Sequence, residues 1–258
     1  MNLKSKLLLA LLATSSAAFA QTAPAAETPE VTYNVGVVSQ YRYRGLAQTK
    51  GDAALQGGVD YANANGFYAG AWGSTIKWIK ETGTANSIDA KGPVELDLYG
   101  GYKFEAAGLA YDVGYLRYQY VGNTYNKIGA DYSNANTDEV YGAATYGVLT
   151  AKYSYTLSDI FGQHANGGSK HSGYFDLTAN FDLGEGYTLA PHAGRQTVAN
   201  NSGYSYTDYA LTLGKDLGDG LSASVAAIAT TGKNNINLTT NGYNTAKNTV
   251  VVGVKYAF

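Results

Sequence analysis

The sequence predicts an all-β fold: a transmembrane, antiparallel, up-and-down β-barrel of about twelve strands, exported to the bacterial outer membrane. Three observations carry the prediction. The chain beyond its first twenty residues alternates apolar and polar side chains with a period of two, the period of a strand with two unlike faces. Its polar connections alternate between long and short. No later stretch is apolar for long enough to cross a bilayer as a helix, and the apolar run Ala226-Ala227-Ile228-Ala229 is typical. A membrane protein without such helices must close its sheet, because lipid cannot satisfy open strand edges.

Residues 1–20 read as an export signal. Lys4 and Lys6 form a positive start, Leu7 to Leu12 a short apolar core, and Ala18-Phe19-Ala20 an A-x-A cleavage site, so the mature chain is expected to begin at Gln21. The apolar core falls well short of the ~20 residues that a spanning helix requires. Residues 21–30 are a polar, Pro-containing periplasmic lead-in, and 31–258 make up the barrel.

Twelve strands are expected, over 31–45, 53–62, 66–78, 93–104, 108–121, 137–147, 148–158, 172–183, 186–197, 206–216, 220–232 and 247–258. Most match or slightly exceed the ~9–11 residues that a tilted strand needs to cross the hydrocarbon. The last shows the pattern best. Val250, Val252, Val254, Tyr256 and Phe258 share one face, and Val251, Gly253, Lys255 and Ala257 the other. Phe175, Leu177, Ala179 and Phe181 likewise alternate with Asp176, Thr178, Asn180 and Asp182. In a barrel the large set faces lipid and the small or polar set faces the lumen. The stretch 66–78 is ambiguous, because both of its faces carry aromatics.

The short connections are Asn63-Ala64-Asn65-Gly66, Glu105-Ala106-Ala107-Gly108, a tight turn near Gly147, Gly184-Glu185-Gly186 and Gly218-Asp219-Gly220. They are rich in residues that accept positive φ cheaply. The long ones are 46–52, 79–92, 122–136, 159–171, 198–205 and 233–246. Transmembrane barrels sort their loops in this way, with short turns in the periplasm and long loops outside. Six long loops and five short turns put both chain ends on the periplasmic side.

Composition narrows the function classes. Charged residues are only 15% of the 258, yet the mean hydropathy is -0.21, which suits neither a charged soluble protein nor a helical membrane protein. There are 32 Gly, 24 Tyr and 4 Pro, a strand-and-turn composition, and no Cys, which removes disulfides and zinc–thiolate sites. Without Lys4 and Lys6 the 18 basic residues fall to 16 against 20 acidic ones, which argues against a nucleic-acid partner. No cofactor is expected, because nucleophile-elbow, P-loop, dinucleotide and His-x-x-x-His patterns are all lacking. A hydrolase would need one of His164, His171 and His192 beside a serine and an acid. The expectation is a non-enzyme, with a lipid-active outer-membrane enzyme as an alternative. Asp89, Asp131 and Asp138 in the long loops lack EF-hand spacing and read as solvated acids.

Strand parity nominates pore-lining residues. With the first strand running outward, Arg42 and Arg44 fall at lumen parity near the outer rim, and Asp52 across the first loop is the expected partner of Arg44. Glu95, Asp97, Glu139, Asp176 and Asp208 share the outer half of the lumen. Asp60 and Asp112 face Lys103, Lys152 and Lys255 in the periplasmic half, and His192 has lumen parity too. These charges either line a polar channel with an acidic outer mouth or pair across a plugged lumen, since small barrels can be filled by side chains. Tyr41, Tyr43, Tyr102, Tyr115, Tyr153, Tyr155, Tyr187 and Tyr256 have the parity of interfacial girdles, whereas Tyr99, Tyr118 and Tyr120 have that of the lumen.

Tyr41-Arg42-Tyr43-Arg44-Gly45-Leu46-Ala47-Gln48-Thr49 leads into Gly51-Asp52-Ala53-Ala54-Leu55-Gln56-Gly57-Gly58-Val59-Asp60-Tyr61, then Gly66-Phe67-Tyr68-Ala69-Gly70 and Trp72-Gly73-Ser74. Together with Glu95-Leu96-Asp97-Leu98-Tyr99-Gly100-Gly101-Tyr102, this resembles the N-terminal signature of the TorF-type porin family of proteobacteria, the Gcw_chp type. The resemblance is densest over 33–104. It implies an outer-membrane barrel of porin kind and supplies no substrate.

The expected function is therefore a passive channel for small polar solutes. A structural or surface-interaction barrel with a plugged lumen is the alternative. The expected partners are outer-membrane lipid and lipopolysaccharide, and the barrel-assembly machinery, which would read Tyr256 and the terminal Phe258 as its signal. A closed sheet resists SDS until heated, because its interior backbone is already paired. The mature protein should thus run faster on a gel unheated than boiled. Recovery as a detergent-free periplasmic protein would refute the barrel.

Overall fold

The computed structural model describes residues 29–258, so the export signal and most of the lead-in lie outside the described residues. The strands are β1 Glu30–Val38, β2 Ala54–Ala62, β3 Phe67–Thr75, β4 Val94–Ala106, β5 Leu109–Tyr120 and β6 Thr137–Tyr146. They continue with β7 Leu149–Thr156, β8 Gly173–Gly184, β9 Tyr187–Thr197, β10 Tyr206–Gly218, β11 Leu221–Thr230 and β12 Thr249–Ala257. Within β8 the ladder is interrupted at Asn180, so the thirteen segments of the sheet make twelve strands. Each strand pairs antiparallel with its sequence neighbour, and β1 pairs with β12 in the register Val35↔Tyr256 and Val37↔Val254. The sheet is closed.

Alternation decides which face points where. Val31, Val35, Val37, Leu55, Leu98 and Val113 are exposed on the outside, as are Leu211, Val225, Val250, Val252 and Val254. An exposed apolar surface this extensive is untenable in water, and it matches the lipid-facing band of a membrane barrel. Aromatic rings ring the short-turn end. Phe67 packs on Tyr102 with centroids 4.8 Å apart, Phe104 on Tyr111 at 5.1 Å, and Phe258 on both Tyr33 and Tyr256. Tyr102, Tyr115, Tyr153, Tyr187 and Tyr256 lie on the outside, and Tyr155 is half-buried there beside His171.

Two elements depart from the sequence reading. The first strand stops at Val38 and does not run to residue 45; the chain then turns into the lumen. The third stops at Thr75, and Trp78–Ala85 forms a helix, α1, inside the long connection to β4. Asp138, expected in a loop, is on β6, where it pairs with Arg117 at 2.8 Å.

Inside the barrel, tyrosine rings lie over glycines on neighbouring strands. Tyr99 covers Gly70, Tyr68 covers Gly101, Tyr141 covers Gly114 and Tyr174 covers Gly194. Each glycine leaves a flat patch that a ring can occupy, and the ring restores the packing that the glycine lacks. A Cβ on Gly114 would meet the Tyr141 hydroxyl at 2.5 Å. Gly114→Val should therefore destabilise the barrel by about 1–3 kcal/mol through overpacking. A lowered denaturant midpoint in micelles checks this, and an unchanged midpoint would show that the ring moves freely.

Candidate functional site: the occluded lumen

The outer half of the lumen is filled by the chain's own first connection. Beyond Val38, residues 39–53 fold inward as a small hairpin in which Arg42–Tyr43 pairs with Leu46–Ala47. Arg44 and Gly45 form its two-residue turn with φ of 45° and 77°, the handedness that suits a tight hairpin. Gly45 is required twice over, since a Cβ there would also stand 2.7 Å from Asp208 and 2.8 Å from Thr230 on the barrel wall.

The hairpin is pinned by two buried cations. Arg44 makes a two-pronged contact with Glu139, at 3.0 and 2.8 Å, and donates to Gln196 Oε1 at 2.9 Å. Its guanidinium also stacks over the rings of Tyr43 and Tyr174. Both partners of the ion pair are almost wholly shielded, at 2% and 1% exposure. A planar guanidinium matches a carboxylate edge to edge, which fixes the turn's position as well as neutralising it. Arg42 meets no carboxylate among the described residues. It donates instead to Gln40 Oε1 and to the backbone oxygens of Gly45, Thr245 and Lys247, so it joins the hairpin to the last long loop.

Tyrosines complete the seal. Tyr41 donates to Glu95 at 2.9 Å and packs edge-on against Trp72. The Tyr43 and Tyr118 hydroxyls are 2.6 Å apart, and Tyr118 donates on to Glu139. Tyr41 and Tyr43 are thus buried inside, not set in the lipid girdle as expected; once the strand ends at Val38, parity no longer assigns a face to residues 41–43. Tyr118 and Tyr120 are buried on the enclosed face, and Tyr99 donates to Asp60 there.

The remaining nominated residues divide into three groups. Glu95, Asp97, Glu139 and Asp208 are buried on the enclosed face of the outer half. Asp208 accepts from Tyr174 at 3.0 Å and from His192 Nε2 at 2.9 Å, and His192 Nδ1 lies 3.4 Å from Asp176. Toward the short-turn end, Asp60, Lys103, Asp112 and Lys152 are half-buried and Lys255 is buried. Asp112 accepts from Tyr68 at 2.6 Å, and the Lys152 ammonium stands 3.8 Å from the Tyr141 ring centre. Asp52 is the exception. It is exposed at the outer surface, pairs with Lys77 and does not meet Arg44.

Sequence reasoning missed three residues at the site. Gln40, Gln196 and Tyr174 hold the two arginines in place; the signal that could have exposed them is Arg44-Gly45 itself, a hairpin turn hidden in an alternating run. Above the hairpin, Lys50 and Asn241 both donate to Glu81 of α1 and tie three loops together. Partial burial pushes the Glu81 carboxyl up, but these hydrogen bonds outweigh it and hold the group below its usual range.

With this geometry in place, the sequence can be set beside known proteins. The bacterial family described as "Bacterial protein of unknown function (Gcw_chp)" matches residues 22–258. The chain belongs to this family. No curated protein sequence matches it. Among solved structures, the Gcw_chp chain is similar to the KdgM porin, with a TM-score of 0.52 and 10% identity over 88% of this chain and 98% of that one. It is also similar to the NanC porin, with a TM-score of 0.51 and 12% identity over 88% and 99%. The KdgM porin in complex with disordered oligogalacturonate gives 0.51 and 10% over 88% and 98%. At such identities the likeness is one of fold. A bacterial twelve-strand barrel of this fold, wrapped in an apolar belt, is an outer-membrane protein.

Removing one partner of a buried ion pair strands the other, at a cost of about 3–5 kcal/mol. Glu139→Ala should therefore release Arg44 and the hairpin from the lumen. Trypsin should then cut after Arg42 or Arg44, sites that it leaves uncut in the wild-type barrel. Equal resistance in the variant would show that the hairpin is held without the pair.

Proposed function

We propose that this chain is a porin-like outer-membrane channel for small polar solutes, kept narrow at rest by its inward-folded first connection. The observation that carries this reading is the run of polar and charged side chains on the enclosed face, from Glu95, Asp97 and Glu139 down to Asp112, Lys103 and Lys255. Ionised groups in a dry interior are costly unless each is paired. Half-buried charges in the periplasmic half instead fit a water-filled passage. The resemblance to TorF-type porins and the shared fold of KdgM and NanC support the same reading.

The acids of the outer half favour cations, because a mouth of one charge sign with low-dielectric walls concentrates counter-ions. Arg42 and Arg44 oppose this locally and form the constriction with Glu139. The reading is of a channel and not an enzyme. Of the three histidines, the one in the lumen, His192, faces Asp208 and Asp176 through its two nitrogens and has none to offer a serine nucleophile.

One observation favours the alternative of a plugged structural barrel: Arg42 is fully buried and Arg44 nearly so, each shielded from water by the groups packed around it. Planar-bilayer recording separates the two readings. Gln48 N–H already bonds to Tyr41 O, so residues 42–47 can be deleted and the ends joined through two glycines. Wild type should show small conductance with weak cation preference, strongest at low salt where the Debye length is long. The deletion should raise conductance several-fold, and Asp97→Asn should weaken the preference. Silence from both wild type and deletion would establish the plugged reading, and anion preference in wild type would overturn the assignment of an acidic mouth.

A further inference from the structure

On the outward side of the hairpin, the long loops line a half-open pocket of about 150 Å³. Its walls are aromatic: Trp78 of α1, Tyr120, Tyr125, Phe161 and Tyr204. The hairpin supplies Tyr43, Leu46 and Ala47. Between the rings stand neutral polar groups, among them Gln48, Gln163, Asn237 and Thr240. No lining residue carries a charge, although acids and arginines crowd the lumen directly beneath.

The hydrogen-bonding capacity of this wall is partly unspent. The Gln163 amide makes no hydrogen bond to any described residue. Gln48 donates to Leu46 O and Asn237 to Gly203 O, which leaves both amide oxygens to accept. The indole N–H of Trp78 is buried without an acceptor among the described residues.

We propose that this pocket binds one neutral pyranose ring, held between its aromatic walls and hydrogen-bonded through its hydroxyls to the free amides. A closed cavity of about 150 Å³ holds a molecule the size of benzene; this pocket is half open, so a pyranose seats one face against the aromatic wall and leaves its other edge toward the opening. The C–H faces of a pyranose are apolar and suit the rings, while its hydroxyls both donate and accept. A charged sugar would leave water for a wall with no counter-charge. A wholly apolar ring would leave the Gln163 amide and the Gln48 amide oxygen facing it without a partner. The guest would rest against Tyr43 and Gln196, the two residues that flank Arg44, so occupancy bears directly on the constriction. The binding claim is independent of whether the lumen conducts.

The test is calorimetric titration of the detergent-purified full chain with methyl glucoside and methyl galactoside, and with glucuronate, glucosamine and benzyl alcohol as contrasts. The chain has two tryptophans, so Trp72→Phe makes fluorescence report on Trp78 alone. At least one methyl glycoside should bind saturably and perturb that fluorescence. Glucuronate and glucosamine should bind roughly tenfold more weakly or not at all, and Gln163→Leu should weaken glycoside binding by roughly tenfold. Heat-modifiable gel mobility identifies variants that have folded. The proposal is overturned if neither glycoside binds, if a charged sugar or benzyl alcohol binds as tightly, or if a folded Gln163→Leu protein binds unchanged. A silent bilayer recording would count against the channel and leave this result standing.

Discussion

A polypeptide in hydrocarbon must satisfy every backbone donor and acceptor from within itself, and each feature of this molecule follows from meeting that constraint with strands. Closure through β1 and β12 removes the last open edge. It also creates an inside, and the period of two then fixes the chemistry of both faces at once: a lipid face of Val and Leu, and an enclosed face of charges, amides and tyrosines. Charged residues are only 15% of the chain, and the central part of the lipid-facing surface is kept almost free of them. A composition that looks unremarkable on average is therefore sharply divided in space.

The enclosed face brings its own difficulty. Glu95, Asp97, Glu139 and Asp208 crowd a narrow space, and their mutual repulsion is relieved by the hairpin, which brings Arg44 to Glu139 and the Tyr41 hydroxyl to Glu95. The plug and the acidic wall are complementary parts, and neither is comfortable without the other. This accounts for Arg44, while Arg42 two residues earlier ties the same hairpin to backbone oxygens of the last long loop.

The barrel strands were legible because most carry two unlike faces over a long run, with 66–78 the exception, and because Gly-containing turns mark one end of each hairpin. Ten of the twelve ended close to where alternation and turn residues placed them. The hairpin was not legible. Tyr41-Arg42-Tyr43-Arg44 keeps perfect alternation, so local pattern extends β1 by several residues, whereas the tertiary gain from burying Arg44 against Glu139 ends it at Val38. The same limit hid the true partner of Arg44. Sequence proximity suggested Asp52, but the partner lies 95 positions away in β6. Helix α1 was missed because its eight residues, WIKETGTA, include a glycine and two threonines and carry little helical signal.

The partners of the hairpin bear on how the barrel forms. Arg44 reaches Glu139 and Gln196, and Arg42 reaches Thr245 and Lys247, contacts that span between 95 and 205 residues of chain. The hairpin emerges early in synthesis, yet its binding surfaces exist only after β6, β9 and the final loop are in place. Seating it is thus coupled to the meeting of β1 with β12, among the most distant pairings in the molecule and, by contact-order reasoning, among the slowest to form. Until that seam closes, the two arginines and their tyrosines have no enclosure to occupy. The sealing of the lumen and the completion of the barrel become a single late event, and a half-assembled barrel is an open one.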